Sequence, residues 1–155
     1  RTIERTDNAA TANVIRSVLV ELGAPKVGTA YEDKAVDVMF ENYEKEKAVY
    51  FVVEENGEVI GGAGISQLDN YKGNVCELQK MYFSPLARGR GIGTQMIDLC
   101  LNRARDFGYE KCYLETMSYM EAAQKLYRTY GFESLEGPMG DTGHYSCGVH
   151  MILDL

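Results

Sequence analysis

Arg88 to Gly93 read Arg-Gly-Arg-Gly-Ile-Gly, between a run with strand character and a run with helix character. Three glycines and two arginines at a strand-to-helix junction make a pocket for a phosphate-bearing ligand. Glycine lets the backbone approach closely and turn its N–H groups outward. The following helix presents its positive dipole end, and arginines ion-pair with phosphate oxygens. Taken alone, the hexapeptide reads equally as a glycine-rich turn with solvated arginines. Two familiar phosphate loops are excluded. A nucleoside-triphosphate loop needs a lysine after its last glycine, and Gly93 is followed by Thr94. A dinucleotide fingerprint needs Gly-x-Gly-x-x-Gly after an early strand, whereas the glycines here alternate from Gly89 to Gly93 in mid-chain.

The elements that must position this loop follow from periodicity and punctuation. Thr2 to Arg5 reads as a short strand, and Asp7 as the N-cap of a helix running to Leu22 with a stripe of Val14, Ile15, Val18, Leu19 and Leu22. Val36, Met39, Phe40 and Tyr43 mark a second helix over Asp33 to Glu44. Val49–Glu54 and Val59–Leu68 are strands joined by Asn56-Gly57, a strong hairpin signal. Val75–Phe83 is a strand closed by Pro85, and Thr94–Phe107 a helix with Met96, Ile97, Cys100, Leu101 and Ala104 on one face. Lys111–Thr116 is a strand, Glu121–Tyr130 a helix, and Glu133–Leu135 and Val149–Leu153 short final strands. The order β-α-α-β-β-β-α-β-α-β-β describes a mixed α/β sheet with helices on both faces.

Composition narrows the class. A chain of 155 residues has the length of one domain and buries about 70% of its unfolded surface without a disulfide or metal. A net charge of −7 argues against a general nucleic-acid surface and mildly favours cationic acceptors such as amines, though acidity is more often only a matter of solubility. Cys76, Cys100, Cys112 and Cys147 form no Cys-x-x-Cys pair, and with only His144 and His150 beside them no metal pattern is present. They read as reduced thiols. No apolar stretch has the length of a membrane span and no signal-peptide pattern is present, so the expectation is a cytoplasmic protein.

A second motif follows the loop. Ala123, Leu126, Tyr127, Gly131 and Phe132 spell Ala-x-x-Leu-Tyr-x-x-x-Gly-Phe, and Arg88, Gly91 and Gly93 spell Arg-x-x-Gly-x-Gly. In this order, joined by a helix and a strand, they resemble the GCN5-related N-acetyltransferase (GNAT) family, closely over Val49 to Phe132 and by element order at the ends. The resemblance implies one acetyltransferase domain over residues 1–155 with the acyl-CoA N-acyltransferase fold. It implies acetyl-CoA as cofactor and acetyl transfer to a primary amine, a small molecule in preference to a protein amine, within one complex. The alternative is a non-catalytic acyl-CoA-binding or sensing domain on the same fold. No nucleic acid or membrane partner is expected, and a homodimer is left open.

Roles carry over residue by residue. Glu77, eleven residues before Arg88, matches the position of the family's base; its structural alternative is an ion pair with Lys80 or Lys111. Glu115 on the neighbouring strand is the rival, and a water relay a third route. Tyr127 is the implied acid for the departing thiolate. Met81 supplies the implied backbone N–H to the thioester carbonyl, because the family carries a bulge in this strand. Met81, Phe83, Arg88, Gly89, Arg90, Gly91, Ile92, Gly93, Thr94 and Tyr127 are the implied cofactor contacts. Met120 departs from the pattern, standing where the family often places an asparagine; Thr116 and Ser118 are the candidates to compensate. The acceptor side falls to Tyr31, Phe40 and Tyr43 and to the loop Gly137–Cys147, with Glu115, Asp141, His144 and Tyr145 as candidate contacts and His144 as an alternative base.

Overall fold

The structure, a computed structural model, describes residues 1–155. Its strands are β1 (Val49–Glu55), β2 (Glu58–Gln67), β3 (Val75–Phe83), β4 (Lys111–Thr116), β5 (Glu133–Leu135) and β6 (Val149–Asp154). They form one six-stranded sheet in the order β1-β2-β3-β4-β6-β5. The β1–β2 hairpin turns on Asn56 and Gly57, with φ of 52° and 82°, the left-handed pair that a tight two-residue turn demands. Only β3 and β4 run parallel, because helix α3 (Ile92–Asp106) carries the chain back between them.

Each face of the sheet is covered by the helices whose apolar stripes fit it. On one side α3 buries Met96, Ile97, Cys100, Leu101 and Ala104, as its periodicity predicts. Helix α4 (Glu121–Thr129) joins it, and Phe51, Ile65, Leu78, Leu114 and Met151 complete that core. On the other side α1 (Asn8–Glu21) and the one-turn α2 (Met39–Asn42) pack over Tyr50 and Val52 through Ile15, Leu19 and Met39. Each such fully buried side chain contributes roughly 1.5–3 kcal/mol. All four cysteines are free thiols, three of them buried. No helix is long and apolar enough to cross a membrane.

Two expected elements differ. The strand over Thr2–Arg5 is reduced to a single bridge between Thr2 and Phe51, because Asp7 draws the chain into a 3-10 turn at Arg5–Asp7. Asp7 accepts the Glu4 N–H at 2.7 Å and two hydrogen bonds from Arg1, so its carboxylate caps this turn and not α1. The helix over Asp33–Glu44 is reduced to a 3-10 turn at Lys34–Val38 followed by α2, and a separate 3-10 turn at Ala30–Glu32 precedes it. The Phe40 N–H goes to the Asn8 side chain at 2.8 Å, and Arg16 holds both Asp37 oxygens and the Tyr31 carbonyl. These tertiary bonds from α1 replace the intrahelical ladder.

The feature that shapes the molecule lies in β3. The β2–β3 register slips so that Gly62 faces Tyr82 while Gly64 faces Gln79. Lys80 and Met81 therefore oppose Ala63 alone, a β-bulge of the kind the resemblance implies. Lys80 takes φ of 50°, and the buried Tyr50 hydroxyl holds its carbonyl at 2.9 Å. Beyond the bulge Met81 and Phe83 lie on the α3 side with Leu78, and Tyr82 on the α1 side. β3 and β4 pair only at Val75–Lys111, Cys76–Cys112 and Glu77–Tyr113. Past those residues they part, each keeping its outer neighbour.

The Tyr50 wall tolerates only glycine opposite it. A Cβ at Gly64 would stand 2.6 Å from the Tyr50 ring and 2.6 Å from the Val49 carbonyl oxygen. Gly64→Ala is expected to lower the unfolding free energy by about 1–3 kcal/mol. Urea denaturation checks this, and an unshifted midpoint would show that Tyr50 is free to move.

Candidate active site

The loop at residues 88–93 runs from the end of β3 into α3. Gly89 and Gly91 take φ of 70° and 74°, a region costly for any residue with a Cβ. No protein acceptor takes the N–H groups of Gly89, Arg90, Gly91, Ile92, Gly93 or Thr94. Unfilled backbone donors at the dipole end of a fifteen-residue helix fit a pyrophosphate. Both arginines brace the loop. Arg88 donates to the Phe83 carbonyl at 3.0 and 3.1 Å and grips Glu21. Arg90 donates to the Leu86 carbonyl and pairs with Glu55. These carboxylates lie far away in sequence, and no local pattern announces them. The pairs are exposed, so each contributes little stability.

The parted strands open a cleft of about 510 Å³ beside this loop. Leu78, Met81, Phe83, Leu114, Met117 and Tyr127 are among its walls. The edges of β3 and β4 that face each other here have no ladder partner, and an unpaired edge is a template for an extended amide-bearing chain. Tyr127 is 6% exposed and packs edge-on against Phe132, and its hydroxyl makes no hydrogen bond within the protein. Burial raises that hydroxyl well above the ordinary tyrosine range. Met120 also lines the cleft. The Thr116 hydroxyl is turned toward the Met120 sulfur at 3.3 Å, and the Ser118 carbonyl accepts from Gln124. Cys147 stands in the same wall, its thiol pushed up to about 11 by burial and by Glu115 and Glu77.

A buried acidic group sits where the strands begin to part. Glu77 is 4% exposed and its Oε2 has no hydrogen-bond partner. Burial first, and the Glu115 charge second, push its carboxyl up to about 7, against the opposing pull of Gln79, Lys80 and His144. Neither lysine weighed as its ion-pair partner takes that role: Lys80 pairs with Asp33 and Lys111 with Asp154. Glu115 lines the cleft, whereas Glu77 does not. Glu115 accepts the Tyr113 hydroxyl at 2.8 Å and the Thr142 hydroxyl, with His144 Nδ1 at 3.9 Å and His150 Nε2 at 4.0 Å. The loop Gly137–Cys147 delivers Thr142 and His144, pinned by Met139 N–H to the Tyr113 hydroxyl and by Ser146 to the Val27 carbonyl.

Tyr31 and Tyr145 are not brought to this centre. Tyr31 lies under Arg16 and Lys26, and Tyr145 is 75% exposed. Asp33 and Lys80 are brought there, and neither carries a motif signal in the sequence.

Comparison with known proteins places the chain. The sequence model of the acetyltransferase (GNAT) family matches residues 17–132. The uncharacterized N-acetyltransferase YjgM of Escherichia coli K12 is 39% identical over 156 residues, covering 100% of this chain and 93% of that one. A GNAT-family acetyltransferase structure from Staphylococcus aureus Mu50 superposes with a TM-score of 0.86 at 18% identity, over 99% of this chain and 96% of that one. The PaiA N-acetyltransferase of Thermoplasma acidophilum, solved with coenzyme A, gives 0.75 at 14% identity, over 100% and 97%. The chain belongs to the acetyltransferase (GNAT) family. It is an acetyl-CoA-dependent N-acetyltransferase with the acyl-CoA N-acyltransferase fold.

The orphaned Glu77 makes stability depend on pH. Its folded value of about 7 lies above the ordinary 4.5, so between these values the folded chain holds a proton that the unfolded chain has released. Its favourable contribution is full below about 4.5 and is lost as pH rises to about 7. Relative to wild type, Glu77→Gln is expected to gain up to about 3 kcal/mol across that window. Urea unfolding at pH 5 and pH 8 checks it; parallel shifts in both proteins would contradict the burial of an ionisable Glu77.

Proposed function

We propose that residues 1–155 act as a single acetyltransferase domain that moves an acetyl group from acetyl-CoA to a primary amine, preferably of a small molecule, with both substrates held in one complex. The observation that carries this reading is the continuity of unfilled donors. The free N–H groups of Gly89 to Thr94 and the unpaired edges of β3 and β4 border one cleft, which Glu115 also lines, with Glu77 buried where the strands begin to part. Gly89 to Thr94 hold the pyrophosphate, with Arg88 and Arg90 bracing the loop. Met81, Phe83 and Tyr127 line the arm that follows. When bound, acetyl-CoA supplies an activated acyl group as a thioester.

This chain's residues then do three things. They exclude water, since the cleft walls are largely apolar. They place the two substrates side by side, which by itself accounts for much of the acceleration of such a transfer. They also manage protons. Glu77, with a carboxyl near 7 and an unpartnered oxygen, takes the amine proton across a water or through Glu115, which faces the cleft. The Met81 backbone at the bulge polarises the acyl oxygen. Tyr127 keeps its proton at neutral pH and offers it at the wall where sulfur leaves.

Two outcomes are expected. Calorimetric titration with acetyl-CoA gives micromolar binding, about −8 kcal/mol, and Gly91→Asp removes it by placing a carboxylate among the loop donors. The absence of binding to folded wild type at millimolar acetyl-CoA would refute the site. With acetyl-CoA saturating, kcat/KM for the amine rises through an ionisation near pH 7, the value of Glu77. Glu77→Gln lowers kcat by roughly 100-fold or more and removes that ionisation, while acetyl-CoA affinity is retained. A Glu77→Gln profile that keeps the same rise would assign the base elsewhere.

A further inference from the structure

A second cavity, of about 390 Å³, adjoins the cleft. Its wall carries Glu32, Asp33 and Asp69 with Lys45, beside Gln79 and His144, and Ala35 is its one apolar residue. Lys80 is the single residue that lines both cavities. Its side chain is 6% exposed, and its ammonium has one partner, Asp33 Oδ2 at 3.3 Å. An ammonium carries three donors, and a buried charge is costly unless its donors are filled. Asp33 is itself shared, with His144 Nε2 at 3.5 Å and the Ala35 N–H at 2.9 Å. The bulge aims this lysine: with φ of 50° and its carbonyl fixed by Tyr50, Lys80 sits in a conformation that few side chains adopt. The protein thus buries more cationic donor capacity than it satisfies, at the junction of the two cavities.

We propose that Lys80 binds a carboxylate of the acceptor, and that the acceptor is an α-amino acid or a similarly compact zwitterion whose amine enters the cleft beside Glu115. The inference rests on the acetyltransferase reading above and narrows its acceptor. Unfilled donors select the class. A molecule bearing only an amine offers no acceptor to the Lys80 donors that Asp33 leaves free, whereas a zwitterion brings a carboxylate that takes them. Spacing selects the length. Lys80 borders both spaces, so an acceptor whose carboxylate takes the Lys80 donors and whose amine enters the cleft is a compact one. The polar wall favours a polar side chain over an apolar one.

The test pairs each amino acid with its decarboxylated amine: serine with ethanolamine, lysine with cadaverine, phenylalanine with phenethylamine. Acetylated product is followed by mass spectrometry, with acetyl-CoA binding measured on the same preparation. The expected result is a kcat/KM for serine at least about tenfold above that for ethanolamine, as one charge-assisted contact provides. Lys80→Gln is expected to raise KM for serine about tenfold more than KM for ethanolamine. Equal kcat/KM for serine and ethanolamine in wild type, a comparison independent of any variant's folding, overturns the inference and leaves the acetyltransferase reading standing. A preference that survives unchanged in folded Lys80→Gln overturns the assignment to Lys80. If the protein binds acetyl-CoA yet acetylates no member of the panel, the inference and the small-amine reading both fall.

Discussion

The parting of β3 from β4 after the Glu77–Tyr113 pair is the constraint from which the rest of the site follows. Two adjacent strands of a sheet would ordinarily continue their ladder. Here a one-residue slip against β2 sends Met81 and Phe83 to one face and turns the β3 edge away from β4. The sheet survives because β3 keeps β2 and β4 keeps β6 along their outer edges. The open inner edges and the glycine loop before α3, with its free N–H groups, line the same cleft. Unsatisfied backbone of this kind, unfavourable in an ordinary interior, is where the proposed cofactor site lies.

Burial divides the charged groups into two kinds. The arginines of the loop and their partners Glu21 and Glu55 are exposed, so water screens them and a phosphate is able to compete for them. The cluster at the root of the cleft is shielded from solvent, and there each charge is felt by the next. Asp33 and Glu77 show the contrast. Asp33, gripped by His144 and facing the Lys80 ammonium, is held well below the usual carboxylate range despite its burial. Glu77, buried without a counter-ion and facing Glu115, is pushed up to about 7. The same chemical group is a permanent anion in one place and a carboxyl that exchanges its proton near pH 7 in the other.

The elements that were legible from sequence are those decided by nearest neighbours along the chain. The Asn56-Gly57 turn, the α3 stripe, and the tyrosine motif of α4 rest on propensity and spacing within a few residues. The structure keeps each of them. The segment from Asp33 to Glu44 was not legible as a broken helix, because what breaks it is Asn8 and Arg16 reaching across from α1. The N-terminal strand failed for a related reason: Asp7 found Arg1 and the Glu4 N–H before it found a helix to cap.

The amino-acid sequence by itself determined the glycine-rich loop, the order of strands and helices from Val49 onward, and through two spaced motifs the family, because all of these are written in local patterns of glycine, charge and hydrophobic period. Only the tertiary structure decided which carboxylate stands unpaired, which lysine is buried with donors to spare, and which tyrosines stay at the surface. Those properties depend on burial and on partners from distant segments. Glu77, Glu115, Asp33, Lys80 and His144 come from four separate stretches of chain, and neither their separation nor their solvent access exists until the sheet has closed around them.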